Sequence, residues 1–183
     1  VGSGVLVHGT RGGTVGSATL GLTNQGTIRA STASRTITVT GTNWVNNGLL
    51  WADQGSITTA GSWSSSGASD EIRLNSPGTL NLGGTFAASS IAGNVNRTGG
   101  TVNLLSTLDL STNGGSYDLG AANHIGSLSL NSGSTVSNGT LLTTNSTSAS
   151  TDNFATVSFA GVTLGNGSAN SGNLTISNGS TLN

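Results

Sequence analysis

Gly78-Thr79-Leu80-Asn81-Leu82 recurs as Gly100-Thr101-Val102-Asn103-Leu104, displaced by 22 positions. In both copies apolar side chains alternate with polar ones, the period of a strand with one buried face. A second match has the same displacement. Asn24, Gly26, Ile28 and Ala30 fall on Asn46, Gly48, Leu50 and Ala52. A third joins the segment from Leu128 to Val136 to that from Leu174 to Leu182, 46 positions on, about two periods with a looser unit between.

A fixed period of a few tens of residues means stacked units. Short alternating strands separated by Gly, Asn and Ser turns predict a parallel β-helix, in which each strand pairs with its equivalent in the next coil. At that period the 183 residues make roughly eight coils, and strands about 4.8 Å apart give a rod on the order of 40 Å long. An antiparallel sandwich or barrel is the alternative, with turn signals every 8–12 residues. The recurrence of 22 in separate parts of the chain favours the solenoid.

Composition agrees. Gly (30), Ser (29), Thr (28) and Asn (20) make up more than half of the chain. Gly and Asn accept the positive φ of tight corners, and stacked Asn side chains hydrogen-bond along the axis. Such a composition also suits a flexible linker, but disorder needs few apolar residues and a high net charge. Here 33% of residues are hydrophobic and the formal charge is −1. The apolar residues are paired one residue apart, as in Leu20/Leu22, Ile37/Val39, Ile72/Leu74, Leu108/Leu110, Val157/Phe159, Val162/Leu164 and Leu174/Ile176. Helix formers at helical spacing do not recur, and almost no helix is expected.

Several functions are excluded or disfavoured. Without Cys there is no disulfide framework, thiolate metal site or thiol nucleophile. Five Arg and no Lys leave little to neutralise a phosphate backbone, so nucleic acid is not an expected partner. No apolar run is long enough for membrane insertion as a helix, and no segment reads as a signal peptide. No cofactor is expected, because neither a phosphate-binding loop nor a dinucleotide fingerprint occurs.

The six acids are Asp53, Asp70, Glu71, Asp109, Asp118 and Asp152. Polysaccharide-cleaving β-helices need clustered carboxylates. Asp70 and Glu71 point to opposite faces of a strand, Asp109 faces outward between Leu108 and Leu110, and Asp118 lies one coil side away. Solvated surface charge is the favoured reading, so no catalytic residue and no enzyme activity are expected, with a polysaccharide lyase or hydrolase as the minor alternative. His8 and His124 stand apart with no second ligand at metal spacing, and no metal site is expected. Six Asn-x-Ser/Thr sequons, at Asn96, Asn138, Asn145, Asn166, Asn173 and Asn178, match the number that chance gives at this Ser and Thr content.

The three tryptophans are the most distinctive residues. Trp44 takes the position of Leu22 and reads as core, whereas Trp51 takes that of Arg29 and faces out. Trp63 falls in the polar stretch from Ala60 to Asp70, expected to be a loop. Trp51 and Trp63 are thus the candidate contact residues, either stacking on sugar rings or packing against a neighbouring coil or subunit. Thr36, Thr38 and Thr40 present an outward row like those of ice-binding solenoids, but Asn81, Asn103, Asp109 and Ser129 interrupt it in other coils.

Ser31–Arg35 and Thr143–Asn153 are also expected to bulge as loops, the latter as an insertion. Residues 1–183 read as one solenoid domain, a segment of a longer chain or a stacking subunit, since no capping segment is seen at either end and open strand edges are normally covered. The units Thr23 to Ala30, Val45 to Leu50 and Gly-Thr-Leu-Asn-Leu resemble the repeats of bacterial secreted β-helical exoproteins, such as autotransporter passengers and filamentous-haemagglutinin-like adhesins. The resemblance implies a right-handed parallel β-helix, an extracellular or cell-surface location and a role as adhesin, stalk or matrix scaffold. It transfers no site residue. Two functions follow: a structural or adhesive rod that associates end to end or with neighbouring repeats, or a carbohydrate-binding module that takes a glycan on a host or cell surface.

Overall fold

The computed structural model describes residues 1–65, 71–165 and 173–183. The chain winds as a parallel β-solenoid, every recorded strand pair being parallel and each strand pairing with the next coil. One outward row counts the coils: Thr14, Thr38, Thr58, Asn81, Asn103, Ser129, Ser150 and Thr175 lie in register, eight rungs. The expected coil number and period therefore hold. Helix among the described residues is confined to two 3-10 turns, Ala88–Ser90 and Leu110–Asn113.

The strands form three strips along the rod. The first contains Leu6–His8, Thr27–Ala30, Leu49–Ala52, Glu71–Leu74 and Val95–Arg97. The second runs the full eight rungs, from Gly13–Gly16 to Asn173–Thr175. The third includes Thr85–Ala87, Thr107–Asp109, Thr135–Leu142 and Thr156–Gly165. Two long strands, Thr36–Asn46 and Ser56–Ser65, cross the corner between the second and third strips. They can turn because glycines stack there: Gly61 has φ +72°, and a Cβ on it would lie 2.1 Å from the carbonyl oxygen of Gly41. Only a residue without a side chain fits that approach.

The core is a set of axial columns. Ile28, Leu50, Ile72 and Val95 form one, and Ile57, Leu80, Val102 and Leu128 form another, all buried. A third column is aromatic: the rings of Trp44 and Trp63 stack at 5.5 Å, and those of Trp63 and Phe86 at 4.9 Å. Both indole N–H groups are satisfied, Trp44 Nε1 donating to the Ala60 carbonyl (2.9 Å) and Trp63 Nε1 to that of Gly83 (3.0 Å). Burial of these rings without an orphaned donor is what allows so few aromatics to hold the strip.

A buried polar ladder runs beside them. Asn24 and Asn46 are fully buried, and Asn24 Nδ2 donates to Asn46 Oδ1 (2.8 Å). Asn46 Nδ2 donates to the Gly48 carbonyl (3.1 Å), and Ser65 Oγ accepts from Asn94 Nδ2 (3.2 Å). The asparagines that match at a displacement of 22 are therefore the inter-coil bonds anticipated for stacked amides.

Two loop expectations are corrected. Residues Ala60 to Ser65 are strand, with Trp63 only 4% exposed; the remainder of that stretch, residues 66–70 with Asp70, lies outside the described residues. The stretch from Thr143 to Asn153 supplies the strand Ser148–Thr151, paired with Leu128–Leu130 and Asn173–Thr175. A polar strand is stable there because its partners on both sides fix its backbone, and only Ala149 and Thr151 turn inward. Leu20, Leu164 and Ile176 are exposed rather than core: Leu20 lies in the first described coil and Ile176 in the last, and Leu164 has a register partner, Leu141, on one side alone among the described residues.

Candidate binding surfaces

The outer face of the first strip carries His8, Arg29, Trp51, Arg73 and Asn96 in one register row. Trp51 faces out, as its place over Arg29 implied, but it is not a free platform. The Arg29 guanidinium carbon sits 4.1 Å and that of Arg73 5.1 Å from its ring centroid, one from each adjacent coil. Each arginine also meets an acid: Arg29 is ion-paired with Asp53, and Arg73 Nη2 with Glu71 Oε1 at 2.6 Å. Trp51 is thus half-buried between cations that stitch three coils together. Trp63, the other candidate contact, is in the core, so the structure does not bring the two together as one surface.

The described carboxylates are dispersed. Asp118 accepts from Thr144 Oγ1 (2.8 and 2.9 Å to its two oxygens) and from the Gly120 N–H (2.9 Å). Asp152 accepts from Ser129 Oγ and Asn131 Nδ2, both at 2.6 Å. Asp109 caps the turn Leu110–Asn113, accepting from the Ser111 N–H (3.0 Å) and from Asn138 Nδ2 (3.2 Å). The Ser111 backbone bond above all, with that residue's side chain and Asn138, holds its carboxyl below the usual range. Among the described residues no three His, Cys, Asp or Glu side chains gather as a metal site.

His124 stacks on Tyr117 at 4.6 Å, and its Nδ1 lies 2.5 Å from the Asp118 carbonyl oxygen. Tyr117 is fully buried; its hydroxyl donates to the Ile91 carbonyl (3.0 Å) and accepts from the Ile125 N–H (3.3 Å). Burial pushes its phenol well above the ordinary range. Nearby, Arg97 stands at the register position that Leu74 fills one coil earlier. Its guanidinium donates to the carbonyls of Gly99, Gly100, Ile125 and Ser127, and burial lowers its pKa. The first strip ends at this arginine, which joins the last regular strand to an irregular segment by side-chain bonds.

A groove of about 450 Å³ lies on the third strip. Its floor is low because small residues face out there: Ser62 and Ser64 on one coil, Thr85 and Ala87 on the next, Thr107 and Asp109 on the third. Asn43 and Thr112 form its rim, and Trp63 and Phe86 lie directly beneath. The alternation in Thr85-Phe86-Ala87 and Thr107-Leu108-Asp109 turns these threonines outward, a signal present in the sequence. Their convergence across three coils is not, because it depends on the register at the corner.

No protein-family profile, curated protein or solved structure matches the chain.

Proposed function

We propose that this chain is an extracellular structural rod, a rigid β-solenoid that serves as a surface or filament scaffold and performs no catalysis. The observation that carries the proposal is the continuity of inter-coil side-chain bonding along the rod. Asn24 bonds Asn46, Asn103 Nδ2 donates to Asn81 Oδ1 (2.8 Å), Asn81 Nδ2 to Thr58 Oγ1 (3.0 Å), and Ser129 reaches Asp152. A chain that bonds amides, hydroxyls and acids of successive coils to one another at intervals along its length is built for stiffness. The carboxylates described above have structural partners, which supports a non-catalytic role. The location outside the cell follows from the likeness in repeat style to secreted exoproteins.

The test has two parts. Immunogold labelling of the cells that make the protein is expected to place it on or beyond the outer surface. The purified chain, imaged by electron microscopy and sized by light scattering over a rising concentration series, is expected to form end-to-end assemblies through coil-on-coil contacts, a heterologous arrangement that does not close. A purely cytoplasmic label overturns the extracellular role. A homogeneous monomer at the highest concentration overturns the self-assembling filament.

A further inference from the structure

The groove on the third strip has a chemistry that the rod does not require. The hydroxyls of Ser64, Thr85 and Thr107 face it without a hydrogen bond to any other described residue, and Thr85 and Thr107 are exposed. On the second strip several outward side chains bond across coils, Asn81 to Thr58, Asn103 to Asn81 and Ser129 to Asp152, whereas here three hydroxyls without such a bond are gathered in one groove. Asp109 presents a carboxylate whose Oδ1 accepts from the Ser111 N–H and from Asn138 Nδ2, and the two oxygens of a carboxylate offer about four lone-pair sites, so acceptor capacity remains. No Arg and no His lines the groove.

This combination selects a class of ligand. An anionic chain would meet Asp109 with no compensating cation, and a cation would find one carboxylate rather than a cage. A flat apolar ligand would strand the hydroxyls. A neutral polyol satisfies them: its hydroxyls donate to the Asp109 carboxylate and both donate to and accept from the three side-chain hydroxyls. We propose that the groove binds a segment of uncharged polysaccharide, about two sugar rings laid along the axis over rungs about 4.8 Å apart. The site goes beyond the scaffold reading and does not rest on it, since a rod that binds no sugar is still a rod.

The experiment is calorimetry and saturation-transfer NMR on the whole chain. The free-chain probes are cellohexaose, maltohexaose and mannohexaose, the protein-attached probe is a glycoprotein bearing a mannose-rich glycan, and the anionic control is an alginate hexasaccharide. The expected result is binding of at least one neutral probe, in either arm, weakened about tenfold in Thr85→Val/Thr107→Val, where the shape is kept and two hydroxyls are lost. Ala87→Trp, which fills the floor, is expected to abolish it, while Trp51→Ala on the first strip leaves it unchanged. Circular dichroism and urea midpoints show that each variant folds; a variant that does not is replaced by Ser64→Ala, which removes a third groove hydroxyl. Silence with every neutral probe, tighter binding of alginate, or neutral binding that the groove variants leave intact overturns the proposal.

Discussion

Replacing Asn46 by Leu tests whether the buried amide ladder couples coils. Leu has a similar volume, so the change removes polarity with little change of shape. It deletes the bond from Asn24 Nδ2 (2.8 Å) and that to the Gly48 carbonyl (3.1 Å). The Gly48 oxygen keeps a partner in the Glu71 N–H, and Ser65 keeps Asn94. The principal orphan is therefore the Asn24 amide, left in a fully buried site with one long contact to the Leu49 carbonyl at 3.4 Å. An unsatisfied buried donor costs about 1–3 kcal/mol, so a loss of about 2 kcal/mol is expected. For a chain of this size that lowers Tm by about 4–8 °C. Because solenoid stability is a sum of unit and nearest-neighbour terms, the effect is local. Amide exchange in the strand Thr27–Ala30 is expected to quicken about 30-fold, with strands such as Leu128–Leu130 unchanged. Asn24→Leu combined with Asn46→Leu is expected to fall short of the sum of the single losses by about 1 kcal/mol, since neither then strands the other. A single variant within about 0.5 kcal/mol of the parent, or strict additivity in the cycle, would refute the reasoning.

Trp63→Ala removes a ring stacked on both sides and is expected to lose about 3–5 kcal/mol in urea unfolding, whereas Trp51→Ala, between two guanidinium groups at the surface, loses about 1–2 kcal/mol. The reverse order would mean that the aromatic column is not the stronger element. Gly61→Ala meets both a left-handed φ and the Gly41 carbonyl, while Gly133→Ala has a φ of +83° with nothing within 4 Å of the added carbon. The first is expected to destabilise by at least about 1 kcal/mol more than the second, read by thermal melts. Tyr117 bears on alkaline stability: its raised folded pKa means that above about pH 10 the unfolded chain loses a proton the folded chain retains. Its contribution is therefore full below about pH 10 and is lost as pH rises further, with a slope of up to about 1.4 kcal/mol per pH unit. Phenolate absorbance rising with an ordinary midpoint in the folded chain would contradict this.

Much of the fold was legible because a solenoid writes its contacts into its period. The pairing of Thr79–Leu82 with Thr101–Leu104 follows directly from the displacement of 22, as does the Asn24–Asn46 bond. Local polarity misled at Trp63 and at Ser148–Thr151. Both lie among Ser and Thr, which read as loop, yet paired strands on each side place them within the sheet. Pairing across coils sets the backbone there, and the residues' own preferences do not.

The candidate site divides along the same line. Alternation placed Asp109 outward and the repeat match placed Trp51 outward; the same alternation carries Thr85 and Thr107, since successive side chains of a strand point to opposite faces. Neither could tell that Trp51 is clasped by Arg29 and Arg73, that Trp63 stands inside the aromatic column, or that Ser62, Ala87 and Asp109 share one groove. Those facts depend on how far each coil advances, on the bulge between Gly41 and Trp44, and on the glycine corner. The sequence determined the rung, which is a matter of local period. The tertiary structure decided which rungs meet, because side chains more than twenty residues apart touch only through the stacking register.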